Sequence, residues 1–495
     1  MKLYFYGHDY KYAVEQMLLT LFPQERPEYP EEKTDGNSME IRLNRGEKFT
    51  TATCTLKIDC GTFHGRGAVG NKLLMTELET DRQCQHIIKD AIYRAALASG
   101  LQHPVWGSLT GVRPGKLMTP YLEAGMGDKE AMKAFMDEYD VSPERAKLCL
   151  DTSKETVKLE KELGEKDVCL YIGIPFCPTR CAYCSFVSQS VEKSMKLISP
   201  FFEALKLEVR AVAEQVKAQE LRVISIYMGG GTPTTLSAPQ IDELCTLIEE
   251  CFDLGALKEY TVEAGRPDTI TSAKLHALKK HGVGRLSVNP QTMSDKVLNT
   301  IGRRHSAADI VSALELVREA GDFAVNMDLI AGLPDDNVES FRETMDKVLA
   351  LDPENITVHT LALKKGSRIM LEGSDIPGAA EVGKMLDIAM EKLRGAGYEP
   401  YYLYRQKFMS GGFENVGWTK KGYENIYNIC IMEELCSIIA MGGGGSTKLI
   451  RHDGEMNIRL TAPKYPQEYI ANIDKTCADK KKISDFYTDI KNKKE

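Results

Sequence analysis

From residue 168 to about 370, short apolar runs alternate with longer amphipathic stretches. No other feature restricts the fold as much. The apolar runs stand at 169–176, 223–228, 260–263, 285–288, 324–330 and 356–363. Between them, residues 200–218, 238–251, 271–281, 307–320 and 338–351 carry apolar side chains at helical spacing. Strands joined by so long a crossover run parallel, because only the crossover returns the chain to the same end of the sheet. Strands that are apolar along their whole length are covered on both faces. Six such units in series predict an α/β fold, a partial (β/α)6 TIM-like barrel, with ligand groups where the strands finish.

The flanks read differently. Residues 1–160 predict an N-terminal α+β domain with strands at 2–6, 39–43 and 51–58 and helices at 12–21 and 82–98. A loop at Trp106–Pro114 follows, then helical sequence rich in Lys and Glu to about residue 163. Gly164-Glu165-Lys166-Asp167 reads as a hinge before the barrel, assigned to 168–370. Residues 371–495 read as a mixed, mainly helical C-terminal region. It holds a helix at 379–396, aromatic sequence at 398–408, a glycine run at 442–445, and a lysine-rich tail from Lys480 that is expected to fray.

The net charge of −8 argues against a general nucleic-acid binder. No apolar stretch is long enough to span a bilayer, and no secretory leader opens the sequence. Thirteen cysteines in 495 residues do not suit a closed disulfide framework. The expected compartment is the cytoplasm, where thiols stay reduced and can bind metal.

The first strand runs into Tyr171-Ile-Gly-Ile-Pro-Phe-Cys177-Pro-Thr-Arg-Cys181-Ala-Tyr183-Cys184, a Cys-x3-Cys-x2-Cys spacing. Cysteine thiolates hold iron–sulfur clusters, usually four to a cluster. Cys177, Cys181 and Cys184 alone leave one iron of a 4Fe–4S cluster without a protein ligand. S-adenosylmethionine can chelate that iron through its amino and carboxylate groups. Electron transfer into its sulfonium then leaves a 5′-deoxyadenosyl radical able to take hydrogen from an unactivated carbon. A structural zinc would need a fourth ligand, and no second Cys or His pair stands nearby. The other ten cysteines, Cys169 among them, read as packing or surface residues.

Polar groups recur at the strand ends. The second strand meets Gly229-Gly230-Gly231-Thr232-Pro233-Thr234, which lets backbone approach a ligand, although a tight βα turn explains it as well. Glu263, Gln291 and Asp328 follow or interrupt later strands and suit ribose hydroxyls and an amino-acid head group. Arg303 can pair with a carboxylate or be a solvated helix charge.

Taken with Gly-Gly-Gly-Thr-Pro-Thr and Asp328-Leu-Ile-Ala-Gly-Leu-Pro, the cysteine motif resembles the oxygen-independent coproporphyrinogen III oxidase (dehydrogenase) family of radical S-adenosylmethionine enzymes, in its HemZ-type branch. The resemblance is strong over 168–370 and looser beyond. It implies that Tyr171 and Tyr183 flank the cluster and cofactor, and that Gly230, Gly231 and Thr232 form the methionine-binding loop. Glu263, Gln291, Arg303, Asp328 and Ala362 match further cofactor contacts.

The implied reaction is oxidative decarboxylation of two propionates of coproporphyrinogen III to vinyl groups, giving protoporphyrinogen IX without oxygen. A reduced flavodoxin or ferredoxin is the implied electron donor. Arg113, Arg405 and Lys407 are candidate partners for the substrate carboxylates. Tyr401, Tyr402 and Tyr404 suit aromatic core better than tetrapyrrole packing. Gly173 stands where the classical enzyme has histidine, and Phe186 where it has a fourth cysteine. Cys-Ala-Tyr-Cys-Ser-Phe is similar to the related heme-chaperone branch. Heme trafficking, and radical methyl transfer to heme, therefore stay open as alternatives.

Overall fold

The computed structural model describes all residues except 185–188, 363–368, 370–374, 407–409, 453–455 and 495. The chain gathers into two compact units, residues 1–114 with 126–148, and residues 115–125 with 149–495. The expected borders at 160 and 370 are not where the chain divides, because helix 143–160 straddles the units and residues beyond 374 complete the larger sheet.

The smaller unit carries a four-stranded sheet of β1 (Lys2–Tyr6), β2 (Ser38–Arg45), β3 (Phe49–Ile58) and β4 (Gly61–Gly70), in that order. β1 and β2 are parallel and the other pairs antiparallel. Strand β3 alternates buried and half-buried residues, the period-2 pattern of a sheet with one covered face. The helix Glu77–Ala98 packs on β3 and β4 and starts with a capping box between Thr76 and Glu79. β4 was not expected, since its glycines lower strand propensity. Those glycines are what let the helix approach: a Cβ on Gly65 would lie 2.0 Å from the Ala91 carbonyl oxygen, and one on Gly67 2.3 Å from that of Ile87.

The larger unit is built on an eleven-stranded sheet. Its centre is six parallel strands in chain order: β5 (Asp167–Ile174), β8 (Arg222–Gly230), β9 (Glu259–Val262), β10 (Arg285–Ser287), β11 (Ala324–Ala331) and β12 (Asn355–Thr360). Two-residue strands β6 (Phe176–Cys177) and β7 (Gln189–Ser190) pair separately. The predicted (β/α)6 arrangement is therefore present, and helices Ala238–Cys251 and Ala307–Ala320 begin and end where the hydrophobic spacing placed them.

The C-terminal region is mixed and mainly helical, as expected, with the helices Ala379–Gly395, Ile426–Glu433, Pro466–Ala471, Ile473–Asp479 and Lys481–Lys494; what the sequence did not indicate is the number of strands. Among the described residues it supplies five strands: β13 (Glu399–Arg405), β14 (Glu414–Thr419), β15 (Ser437–Gly442), β16 (Ser446–Leu449) and β17 (Ile458–Thr461). β14 and β13 extend the β12 edge antiparallel. β15 joins the other edge parallel to β5, from Ser437 opposite Val168 to Gly442 opposite Gly173. The helix Ile426–Glu433 packs against β13 and β8, and the Glu259 carboxylate accepts the Ile426 N–H at 2.8 Å, at the helix N-terminus where negative charge is favoured.

Two further readings give way. Gly164–Asp167 is a hydrogen-bonded turn inside the larger unit, with Gly164 N–H donating to Asp167 Oδ2 at 2.7 Å and Arg222 paired to Asp167 at 2.7 Å. The lysine-rich tail is a packed helix, Lys481–Lys494, with Ile483 and Phe486 buried, and Lys480 itself is buried against Glu208.

Candidate functional site

Strand β5 stops at Pro175, which has no N–H to donate, and the chain turns through β6 into the cysteine loop. The loop's far end is tied across the barrel: Ala182 N–H donates to Ile301 O at 2.9 Å, and Cys184 N–H to Cys181 O at 3.2 Å. Arg303 Nη2 donates to Tyr183 Oη at 3.2 Å and its Nη1 to Asn289 O at 2.6 Å. Arg303 is buried, with Nε left unpartnered, so it is not a solvated helix charge.

Cys177, Cys181 and Cys184 are half-buried thiols on this loop. Thr232 Oγ1 donates toward Cys177 Sγ at 3.5 Å, and Arg266 Nη1 toward Cys181 Sγ at 3.9 Å. Arg266 is buried and braced by Thr179 and Asp268. Donors aimed at sulfur stabilise thiolates, so the loop suits an iron–sulfur cluster. Sequence reading missed Arg266; the signal was its place just after the third strand, in Ala-Gly-Arg-Pro.

The glycines after β8 form a cradle. Gly230 has φ +102°, which favours glycine. A Cβ on Gly231 would lie 2.4 Å from Phe176 O, and one on Gly229 2.8 Å from Glu263 Oε2. Gly231 and Thr232 donate their N–H groups to Ile174 O and Phe176 O at 2.8 and 2.7 Å, locking the cradle to the root of the cysteine loop. On the other side, a Cβ on Gly173 would stand 2.9 Å from Gly443 O. The glycine run after β15 thus occupies the space that a larger side chain at 173 would need.

Two carboxyls face the barrel interior. Tyr227 Oη donates to Glu263 Oε1 at 2.6 Å, and Tyr171, Tyr227 and Tyr427 stack beneath, with 4.4 Å between the last two ring centroids. Burial raises the Glu263 pKa, the Tyr227 bond opposes it, and the nearby Asp328 charge adds to it, leaving it at about 7. Burial also works upward on Asp328, but bonds from His359, Asn326 and Thr357 outweigh it and hold this carboxyl below its usual value. Asn326 Nδ2 donates to Asp328 Oδ1 at 2.8 Å, and the Asp328 N–H donates to Asn289 Oδ1 at 3.2 Å. Near neutrality Glu263 is therefore about half protonated while Asp328 stays ionised.

Gln291 is buried with φ +69°, its backbone bridging to β11 by bonds of 2.9 Å to Asp328 O and 3.0 Å from Ile330 N–H. Ala362 lies just past β12, half-buried. Arg405 directs Nε and Nη2 to Gly412 O at 2.9 and 2.7 Å. Arg113 belongs to the smaller unit, and Lys407 lies outside the described residues. Tyr401 and Tyr402 are buried in an aromatic and aliphatic cluster.

Residues 171–348 match the family described as the Radical SAM superfamily. The chain is 37% identical over 400 residues to the oxygen-independent coproporphyrinogen-III oxidase-like protein HemZ of Bacillus subtilis, covering 80% of each chain. It is 31% identical over 262 residues to the heme chaperone HemW of Bacillus subtilis, covering 51% of this chain and 67% of that one. Among solved structures, coproporphyrinogen III oxidase (HemN) from Escherichia coli, a radical SAM enzyme, matches with a TM-score of 0.51 at 22% identity, covering 66% of this chain and 73% of that one. That likeness concerns the fold.

Proposed function

Since the chain belongs to the oxygen-independent coproporphyrinogen-III oxidase-like family of radical S-adenosylmethionine proteins, which use a 4Fe–4S cluster and S-adenosylmethionine, we propose that it converts coproporphyrinogen III to protoporphyrinogen IX. The observation that carries this reading is the convergence, at one end of the parallel strands, of the cysteine loop, the glycine cradle and the Glu263–Asp328 pair.

In this reading Cys177, Cys181 and Cys184 would hold the 4Fe–4S cluster, and Thr232 and Arg266, which donate toward the Cys177 and Cys181 sulfurs, would steady two of its ligands. Gly230 and Gly231 bring backbone against the methionine moiety. Glu263, Asp328 and Gln291 would receive the ribose hydroxyls and ammonium, with Ala362 as a further contact. Arg303 turns its spare donor to the carboxylate and orients Tyr183. The tyrosines beneath, Tyr171 among them, keep water from the floor. Bound S-adenosylmethionine supplies one-electron hydrogen abstraction. Each substrate propionate loses a β-hydrogen, carbon dioxide and one electron to become vinyl, the electron passing to an acceptor.

A second reading, heme trafficking, is favoured by the 31% identity to the heme chaperone and by the stretch Cys-Ala-Tyr-Cys-Ser-Phe, which is similar to that branch. One anaerobic assay separates the two. Reconstituted protein receives S-adenosylmethionine, a reductant such as reduced flavodoxin, and coproporphyrinogen III or heme, with mass spectrometry of 5′-deoxyadenosine and tetrapyrroles. Protoporphyrinogen IX supports the oxidase. Stable stoichiometric heme binding without that product supports the chaperone, and a methylated linear tetrapyrrole would point to methyl transfer. Cys177→Ala, Cys181→Ala and Cys184→Ala should each abolish 5′-deoxyadenosine formation; its retention in any of them contradicts the cluster assignment. The cytoplasm is the proposed compartment; among the described residues no helix is long and apolar enough to cross a membrane.

A further inference from the structure

Three other cysteines meet in the larger unit, apart from the cysteine loop. Cys169 lies on β5, Cys430 on the helix Ile426–Glu433, and Cys436 just before β15. Their exposures are 0%, 0% and 5%. All three sulfurs lie within 4.8 Å of one another, and those of Cys169 and Cys436 are 3.7 Å apart. We propose that Cys169, Cys430 and Cys436 form a second metal site, an all-thiolate pocket for a soft divalent cation such as Zn2+ or Cd2+.

The spacing carries the inference. Metal–sulfur bonds of about 2.3 Å place the sulfurs of one site roughly 3.8–4.0 Å apart, whether the centre is tetrahedral or trigonal. The Cys169–Cys436 separation of 3.7 Å comes close to that range and is far from a disulfide, whose sulfurs would be about 2.05 Å apart. Single core cysteines pack as small apolar groups. Here three elements, one of them separated from the others by more than 250 residues, bring their thiols to a single point.

The chemistry selects the ion. The ligand group holds sulfur alone among the described residues, which favours soft cations over magnesium or calcium. Binding replaces three S–H bonds by three metal–sulfur bonds and releases three protons, with no change of oxidation state. A divalent ion leaves one net negative charge and a monovalent ion two. In surroundings of Tyr401, Tyr427, Ile429, Leu435 and Ile438 the smaller charge is the less costly to bury. Leu159 and Ile429, members of the same apolar cluster, also line a neighbouring cleft with Lys158, Glu162 and Glu259.

The test uses the full chain with Cys177, Cys181 and Cys184 all replaced by alanine, which removes the cluster thiolates. It is titrated anaerobically with Cd2+. The expected result is one tightly held Cd2+ per chain, thiolate-to-metal absorption in the ultraviolet and a 113Cd resonance typical of all-sulfur coordination. Adding Cys430→Ser should weaken binding by at least about 100-fold. Absence of stoichiometric binding, a resonance showing nitrogen or oxygen ligands, or equal affinity in the Cys430→Ser protein would overturn the site. So would a disulfide among the three in anaerobically isolated chain, read as a loss of two hydrogens by intact mass. Where Cys430→Ser fails to fold, the resonance of the protein with all three thiols intact decides the matter. None of these readouts depends on the tetrapyrrole reaction.

Discussion

Replacing Lys480 by methionine tests whether the C-terminal segment holds the barrel's edge in place. Glu208, on the helix Val191–Ala218, is fully buried, and its Oε1 lies 2.7 Å from Lys480 Nζ. Its Oε2 accepts the Gly442 N–H at 2.7 Å and the Tyr469 hydroxyl, and Lys480 also donates to Ala440 O at 2.7 Å. The pair therefore ties the end of β15, and the glycine run beside Gly173, to the helices that follow. At an effective dielectric of about 20, charges at that separation attract by about 6 kcal/mol, most of it offset by desolvation. Removing one partner leaves the other charge buried alone, which costs about 3–5 kcal/mol.

Domains of roughly 150–250 residues lose about 2–4 °C in Tm per kcal/mol, and a larger unit sits at the lower end, so Lys480→Met should lower Tm by about 6–10 °C. Adding Glu208→Gln removes the orphaned charge while keeping an acceptor for Gly442, and should recover about half of the loss. Circular dichroism melts of the four proteins of this cycle, read under anaerobic conditions at one pH, give the coupling. A Tm within about 2 °C of the parent for Lys480→Met, or a double variant no better than the single, would refute the reasoning.

Glu263 gives a pH signature: its folded pKa of about 7 lies above the usual 4.5, so the native state holds this proton more tightly than the unfolded chain does. Its contribution to stability is complete below pH 4.5 and is lost as pH rises toward 7. Glu263→Gln should flatten that part of the curve in urea midpoints, and an unaltered slope would show that the carboxyl titrates normally. Gly65→Val should destabilise the smaller unit by at least about 1–3 kcal/mol, because the added carbon would meet the backbone of the helix Glu77–Ala98. Native-state hydrogen exchange would localise the loss to β3, β4 and that helix, and unchanged protection there would count against it. Gly173→His, which introduces the classical side chain, should cost a similar amount by pressing on Gly443 and should lower 5′-deoxyadenosine yield; a gain in yield would contradict the crowding seen there.

The repeating apolar runs determined the six parallel strands, because a two-faced buried strand and a one-faced helix leave different local periods. The Cys-x3-Cys-x2-Cys spacing and the polar strand ends singled out Thr232 and Arg303, and both touch the cysteine loop, Thr232 at Cys177 and Arg303 at Tyr183, since the loop directly follows a strand whose neighbours are fixed by the crossovers. Other features depend on contacts between distant segments, which no local pattern records. β4 reads as poor strand until the helix against Gly65 and Gly67 is seen. β15 pairs with β5 across more than 250 residues, so the glycine run after it reads as a loop with no address. Lys480 is indistinguishable from its solvated neighbours until Glu208 is placed opposite it. Cys169, Cys430 and Cys436 look like scattered packing until folding brings their sulfurs together. Hydrophobic burial follows local periodicity, whereas a buried charge pair, a close backbone approach or a ligand set is a relation between segments and exists only once the chain has folded.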